Sequence, residues 1–88
     1  MHTFSKQQIS QWALMNYLAE KQVFQEKNRF YEAKYSTDFQ GFEKKINLAT
    51  EENFEAWDDY IEWQAYQNFL REINHKIEEI RHGDFQMA

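Results

Sequence analysis

Tyr35-Ser36-Thr37-Asp38-Phe39, residues 35–39, is the stretch that decides the fold. Ser, Thr and Asp side chains compete with the helical backbone for hydrogen bonds and therefore favour helix ends. Three of them in a row end one helix and start another, with Asp38 as the expected N-cap of the second. On either side the chain has little that would break a helix. Proline is absent and glycine occurs only at Gly41 and Gly83.

Upstream, Ser5 can cap and Gln8 can reach back in a capping box, with Phe4 stapled onto Ile9. From there Ile9, Trp12, Ala13, Tyr17, Val23, Phe24, Phe30, Tyr31 and Tyr35 recur at helical spacing, predicting a helix over about 6–35. Leu14, Met15 and Leu18 lie off this stripe and give the helix a second oily side. Downstream, Phe39, Phe42 and Ile46 mark the buried edge of a short helix over 39–46. Thr50 is the expected cap of a last helix over 51–82, with Glu51 and Glu52 in its first turn, where the helix dipole favours negative charge. Its stripe is Phe54, Trp57, Ile61, Ala65, Phe69, Ile73, Ile77 and Ile80, flanked by Trp63, Tyr66 and Leu70. Arg81, His82 and Gly83 provide the stop, and residues 83–88 form a tail. The expected fold is all-α: one domain over residues 1–88, two long antiparallel helices joined by a short one, dimerising into a helical bundle.

The 88 residues include no cysteine, which rules out disulfides and thiolate chemistry. No apolar run approaches the ~20 residues of a membrane span, and MHTFSKQQISQW does not read as a signal peptide, so a cytoplasmic protein is expected. Aromatics make up 18% of the chain. That is more than one seam between two helices can hold, so some rings are expected to bury against a second copy. Residues 1–46 hold seven Lys/Arg against five Asp/Glu, whereas residues 47–88 hold three against ten. No basic stripe is available to neutralise phosphates, so nucleic acid is not an expected partner.

The acids concentrate in Glu51, Glu52, Glu55, Asp58, Asp59 and Glu62, with no base between Asn47 and Glu62. Three readings compete. Glu55, Asp58 and Glu62 at i, i+3 and i+7 could hold Mg²⁺, as in all-helical nucleotide pyrophosphatases, but the second Glu-x-x-Asp pair of those enzymes is missing. The acids could instead be a solvated helix face. Or they could form a docking patch, with Trp57 in the core and Trp63 beside the acids as an aromatic anchor. His2, His75 and His82 show no zinc-like pairing and read as solvated. Ser and Thr fall at caps with no base nearby, so nucleophilic catalysis has no support. No enzyme, metal or cofactor is expected.

The segment from Phe30 to Ile46, an aromatic helix ending in Lys-Tyr, a capped break and then Phe-x-x-Phe-Glu, is followed by an acidic spacer and Trp57-Asp58-Asp59-Tyr60-Ile61-Glu62-Trp63. This arrangement, over about residues 24–80, resembles the small helical antitoxin-type proteins encoded next to ribonuclease-like toxins in bacteria and archaea. It departs from them at Ser36, where glycine is common, and at Gly41, where an acid is usual. The resemblance implies stoichiometric neutralisation of a basic protein toxin by covering its RNA-binding surface. The contact residues would be Glu51, Glu52, Glu55, Asp58, Asp59, Glu62 and Trp63, with carboxylates standing in for RNA phosphates. A structural homodimer with no neutralising role stays open beside it. No basic DNA-reading segment is visible, so operator binding is not expected.

Overall fold

A computed structural model describes residues 5–82. The expected Phe4 staple, the Gly83 stop and the 83–88 tail lie outside the described residues. Three helices account for the chain between those limits: α1 (Lys6–Tyr35), α2 (Phe39–Leu48) and α3 (Phe54–Arg81), with no strand among the described residues.

The helix ends follow local chemistry. Ser5 caps α1 in a reciprocal box: its hydroxyl accepts from the Gln8 amide at 3.1 Å, and its own amide donates to Gln8 Oε1 at 3.0 Å. At the other end Ser36 takes a left-handed conformation, φ 54°, which turns the chain out of the helix. Asp38 then caps α2 by accepting from the Gly41 amide at 2.8 Å. A Cβ at Gly41 would fall 2.1 Å from Thr37 Oγ1, so glycine keeps this cap tight.

The start of α3 corrects the sequence reading. Its N-cap is Asn53, accepting from the Ala56 amide at 3.1 Å, rather than Thr50. Asn outranks Thr as a cap. α2 also runs two residues further than expected, to Leu48, so residues 49–53 serve as linker. Glu51 and Glu52 therefore precede the helix instead of occupying its first turn.

α1 and α3 pack antiparallel. Lys34 meets Glu55 and Asp59, Asn28 meets Trp63 and Gln67, Phe24 meets Phe69, and Lys76 sits over Tyr17. The seam keeps an alternating four–three spacing. On α1 it runs Leu14, Tyr17, Lys21, Phe24, Asn28, Tyr31 and Tyr35; on α3 it runs Ala56, Asp59, Trp63, Tyr66, Leu70, Ile73, Ile77 and Ile80, each at least half-buried. A mean step of 3.5 residues keeps both rows aligned along their length. The hairpin measures 61 × 19 × 19 Å. α2 folds over the end of the hairpin at which it links α1 to α3, and there Phe42 and Ile46 join Tyr31 and Trp63 in one buried cluster. Trp63 is enclosed by Tyr31, Phe39 and Phe42, with ring centroids 5.4–5.5 Å away.

The two tryptophans are thus reversed from expectation. Trp63 is 0% exposed, and Trp57 is 42% exposed. The expected stripe from Phe54 to Phe69 advances mostly in steps of four. Each such step rotates about 40° around a 3.6-residue helix, so the stripe spirals off the contact line. The real seam was disguised by the polar Asp59 within it. The two rows converge only at Ile73, Ile77 and Ile80. α1 splits in the same way: Tyr17, Phe24, Tyr31 and Tyr35 face α3, while Val23 and Phe30 stay more than half exposed. Leu14 joins the seam, whereas Met15 and Leu18 remain outside.

Candidate protein-binding surface

The six acids near the start of α3 divide into two groups. Glu55 and Asp59 are committed within the hairpin. Lys34 Nζ lies 2.9 Å from Glu55 Oε1 and 2.6 Å from Asp59 Oδ2, and the Tyr35 hydroxyl also donates to Asp59. Burial alone would raise the Asp59 carboxyl, but Lys34 and Tyr35 outweigh it and hold the group below its ordinary range. Hydrogen bonding to Asp59 and then Glu55 holds the Lys34 ammonium firmly protonated. The Tyr35 hydroxyl is pushed up to about 12, by burial first and then by the Asp59 carboxylate. This cluster clamps the C-terminal end of α1 to the first turns of α3.

The remaining acids are exposed. Glu62 accepts from the Tyr66 hydroxyl at 2.8 Å. Glu51, Glu52 and Asp58 make no ion pair among the described residues. Asp58 shares the outer face of α3 with Phe54, Trp57 and Ile61, since residues three and four apart on a helix are neighbours. Phe54 is 76% and Ile61 62% exposed. This face points away from α1, so an apolar row with a free carboxylate beside it meets solvent.

Behind Trp57 lies a groove of about 330 Å³ between the end of α2, the 49–53 linker and α3. Phe42, Ile46, Ala49 and Trp57 give it apolar walls, and Lys45 and Glu51 also line it.

Of the sequence-derived contact set, Glu51, Glu52, Asp58 and Glu62 reach solvent at one end of the hairpin. Glu55 is exposed but tied to Lys34, and Asp59 is half-buried in the clamp. Trp63 is removed from the set: an indole with no exposure cannot anchor a partner. Trp57, Phe54 and Ile61 are the exposed apolar groups beside the acids, and the sequence reading assigned them to the core. Among the described residues no three His, Cys, Asp or Glu side chains come together to hold a metal ion, so the Glu55–Asp58–Glu62 reading has no geometric support. His75 and His82 each pair with a carboxylate one turn away, Glu79 and Glu78, at 2.9 Å on exposed helix surface. Those i, i+4 pairs went unnoticed in the sequence.

Asn28 is the other group that sequence reasoning missed. Its Oδ1 accepts from Trp63 Nε1 at 2.7 Å and from Gln67 Nε2 at 2.5 Å, and its Nδ2 donates to Glu32 at 3.0 Å. Its position on the four–three seam was the available signal.

Comparison with protein-family models, with curated proteins and with solved structures finds no match for this chain.

Proposed function

We propose that this protein acts by contact alone, as an acidic helical module that covers the cationic surface of a basic protein. On the resemblance of residues 24–80, the partner is a ribonuclease-like toxin encoded by a neighbouring gene, neutralised stoichiometrically. The observation that carries this reading is the exposed row Phe54, Trp57 and Ile61 with Asp58 beside it and Glu51 and Glu52 just before it. Exposed aromatic anchors supply affinity once desolvated, and unpaired carboxylates speed encounter with a positive surface. The Lys34-bound acids contribute structure rather than recognition. Trp57 takes the anchoring role first given to Trp63.

A second copy of the chain is the other partner this reading expects, since apolar surface on α1 lies outside the α3 face. The protein stays in the cytoplasm with its partner, and neither a metal nor a cofactor enters the mechanism.

Co-expression with the product of the adjacent gene tests the reading. The expected result is a stable complex in which Trp57→Ala weakens binding by ~30-fold, the scale of one interfacial hot spot. An adjacent product that does not bind, or a Trp57→Ala complex of unchanged affinity, refutes it.

A further inference from the structure

Exposed apolar side chains gather at the end of the hairpin that α2 covers. Leu48 closes α2 at 81% exposure, Phe54 opens α3, and Trp57 and Ile61 follow on the outer face. Apolar surface brought together in this way marks a contact site. The groove of about 330 Å³ lies in the same place, between the end of α2, the linker and α3. That is the room of about ten waters, enough to seat one aromatic side chain. The lining suits a ring. Phe42 of α2 stacks on Tyr35 with centroids 4.1 Å apart, and Trp57 of α3 completes the walls.

Charge around the groove is unequal. Lys45 is the base that lines it, and it sits in the last turn of α2, where the helix dipole already favours a cation. Glu51 lines it as well. Glu51, its neighbour Glu52, and Asp58 next to Trp57 make no ion pair among the described residues, whereas Lys34 holds Glu55 and Asp59. The surplus is therefore negative, and it lies on the linker and α3 side. An occupant with bases on that side is complementary, and one with acids there is repelled.

We propose that the groove receives an aromatic side chain of the basic partner, from a segment whose neighbouring residues are Lys or Arg. Those bases lie against Glu51, Glu52 and Asp58. The inference rests on the proposed function for its partner and adds where that partner is anchored. The ring enters beside Trp57, while Phe54 and Ile61 cover the surface around it.

Three capped tripeptides, Arg-Phe-Arg, Arg-Ala-Arg and Glu-Phe-Glu, titrated into the ¹⁵N-labelled chain, test this without the toxin. Arg-Phe-Arg should move the Trp57 indole and Ala49 amide resonances and leave the indole of Trp12, near the far end of the hairpin, in place. Removing the ring or reversing the charge should each weaken binding by at least ~10-fold. Ala49→Phe fills the groove from a linker position with extended backbone, so both helices keep their caps. It should weaken Arg-Phe-Arg by ~10-fold or more with circular dichroism unchanged, and Glu51→Lys by a few-fold. Equal binding of the three peptides, no shift at Trp57 or Ala49, or Ala49→Phe and Glu51→Lys without effect would each overturn the inference. So would sedimentation showing a dimer that Ala49→Phe dissolves, because the occupant would then be a second copy. The two readings fail separately. If the peptides behave as expected and the adjacent gene's product does not bind, the toxin reading falls and the groove stands. If that product binds the Ala49→Phe chain as tightly as the parent, the groove inference falls and the acidic face remains.

Discussion

Asn28→Leu isolates the polar connection that reaches the fully buried Trp63 across the seam. Asn28 accepts from the indole N–H of Trp63 at 2.7 Å, and that indole has no exposure to water. Leucine keeps the bulk, so no channel opens for a replacement water, and the indole N–H is left without an acceptor. An orphaned buried donor costs roughly 1–3 kcal/mol. The lost Gln67 contact adds little because that side chain is half-buried and can turn to solvent. The added apolar contact of leucine offsets part of the penalty, so a net loss of about 2 kcal/mol is expected. In a domain of this size that corresponds to a fall in Tm of roughly 8–16 °C. Repeating the substitution in a Trp63→Phe background removes the donor beforehand. There Asn28→Leu should be neutral or stabilising, giving a coupling of at least about 1 kcal/mol between the two positions. Urea unfolding followed by far-ultraviolet circular dichroism, on the four chains of the cycle, measures it. Equal cost of Asn28→Leu in both backgrounds, or a gain in the Trp63 chain, would refute the claim that this hydrogen bond is dry and obligatory. It would equally refute the idea that a polar seam residue sets the register of α1 against α3.

Ser36 holds a left-handed backbone at φ 54°, a conformation that disfavours L side chains, so Ser36→Gly should raise stability by about 1 kcal/mol; an unchanged or lower melting temperature would count against it. Asp59 gives a pH signature. Its folded carboxyl lies below the ordinary 3.8, so its contribution is present above about pH 4 and lost as pH falls through the folded value. The gap in melting temperature between the parent chain and Asp59→Asn should therefore narrow on acidification from pH 5 to pH 2, and a gap that stays constant would show that the Lys34–Asp59 contact carries no pH-linked stability.

What the sequence made legible was local. The capping box at Ser5 and Gln8 and the Asp38 cap rest on residues three apart, and both formed as read. The α3 start did not, because Thr50 and Asn53 are both good caps. Deciding between them depends on how far α2 runs before it has buried Phe42 and Ile46. The clamp between Lys34 and the acids spans 21 and 25 residues of sequence, and the Asn28–Trp63 bond spans 35. Nothing in residue order fixes which base lies over which acid until the register of α1 on α3 is known. For that reason the acidic stretch was visible as composition, whereas its division into structural and free carboxylates was not.

The seam raises a more general point about helices rich in rings. α3 holds one apolar row at 56, 63, 66, 70, 73 and 77 and another at 54, 57, 61 and 65, and periodicity alone cannot rank them. Packing ranks them by what else each row contains. The first carries Asp59, which finds Lys34 and Tyr35 across the seam, and Trp63, which finds Asn28. The second offers no carboxylate to Lys34 and Tyr35, so closing on it would leave polar groups of the α1 face without the partners they find in the first. A row whose polar members can be satisfied inside the hairpin is the one that closes, because unpaired buried donors and charges cost more than extra apolar area returns. The row left outside is then apolar by default and flanked by acids that kept their freedom. On this view the surface available for binding is selected by the hydrogen-bonding needs of the core, and moving Asn28 or Asp59 would change what the protein exposes as well as how firmly it folds.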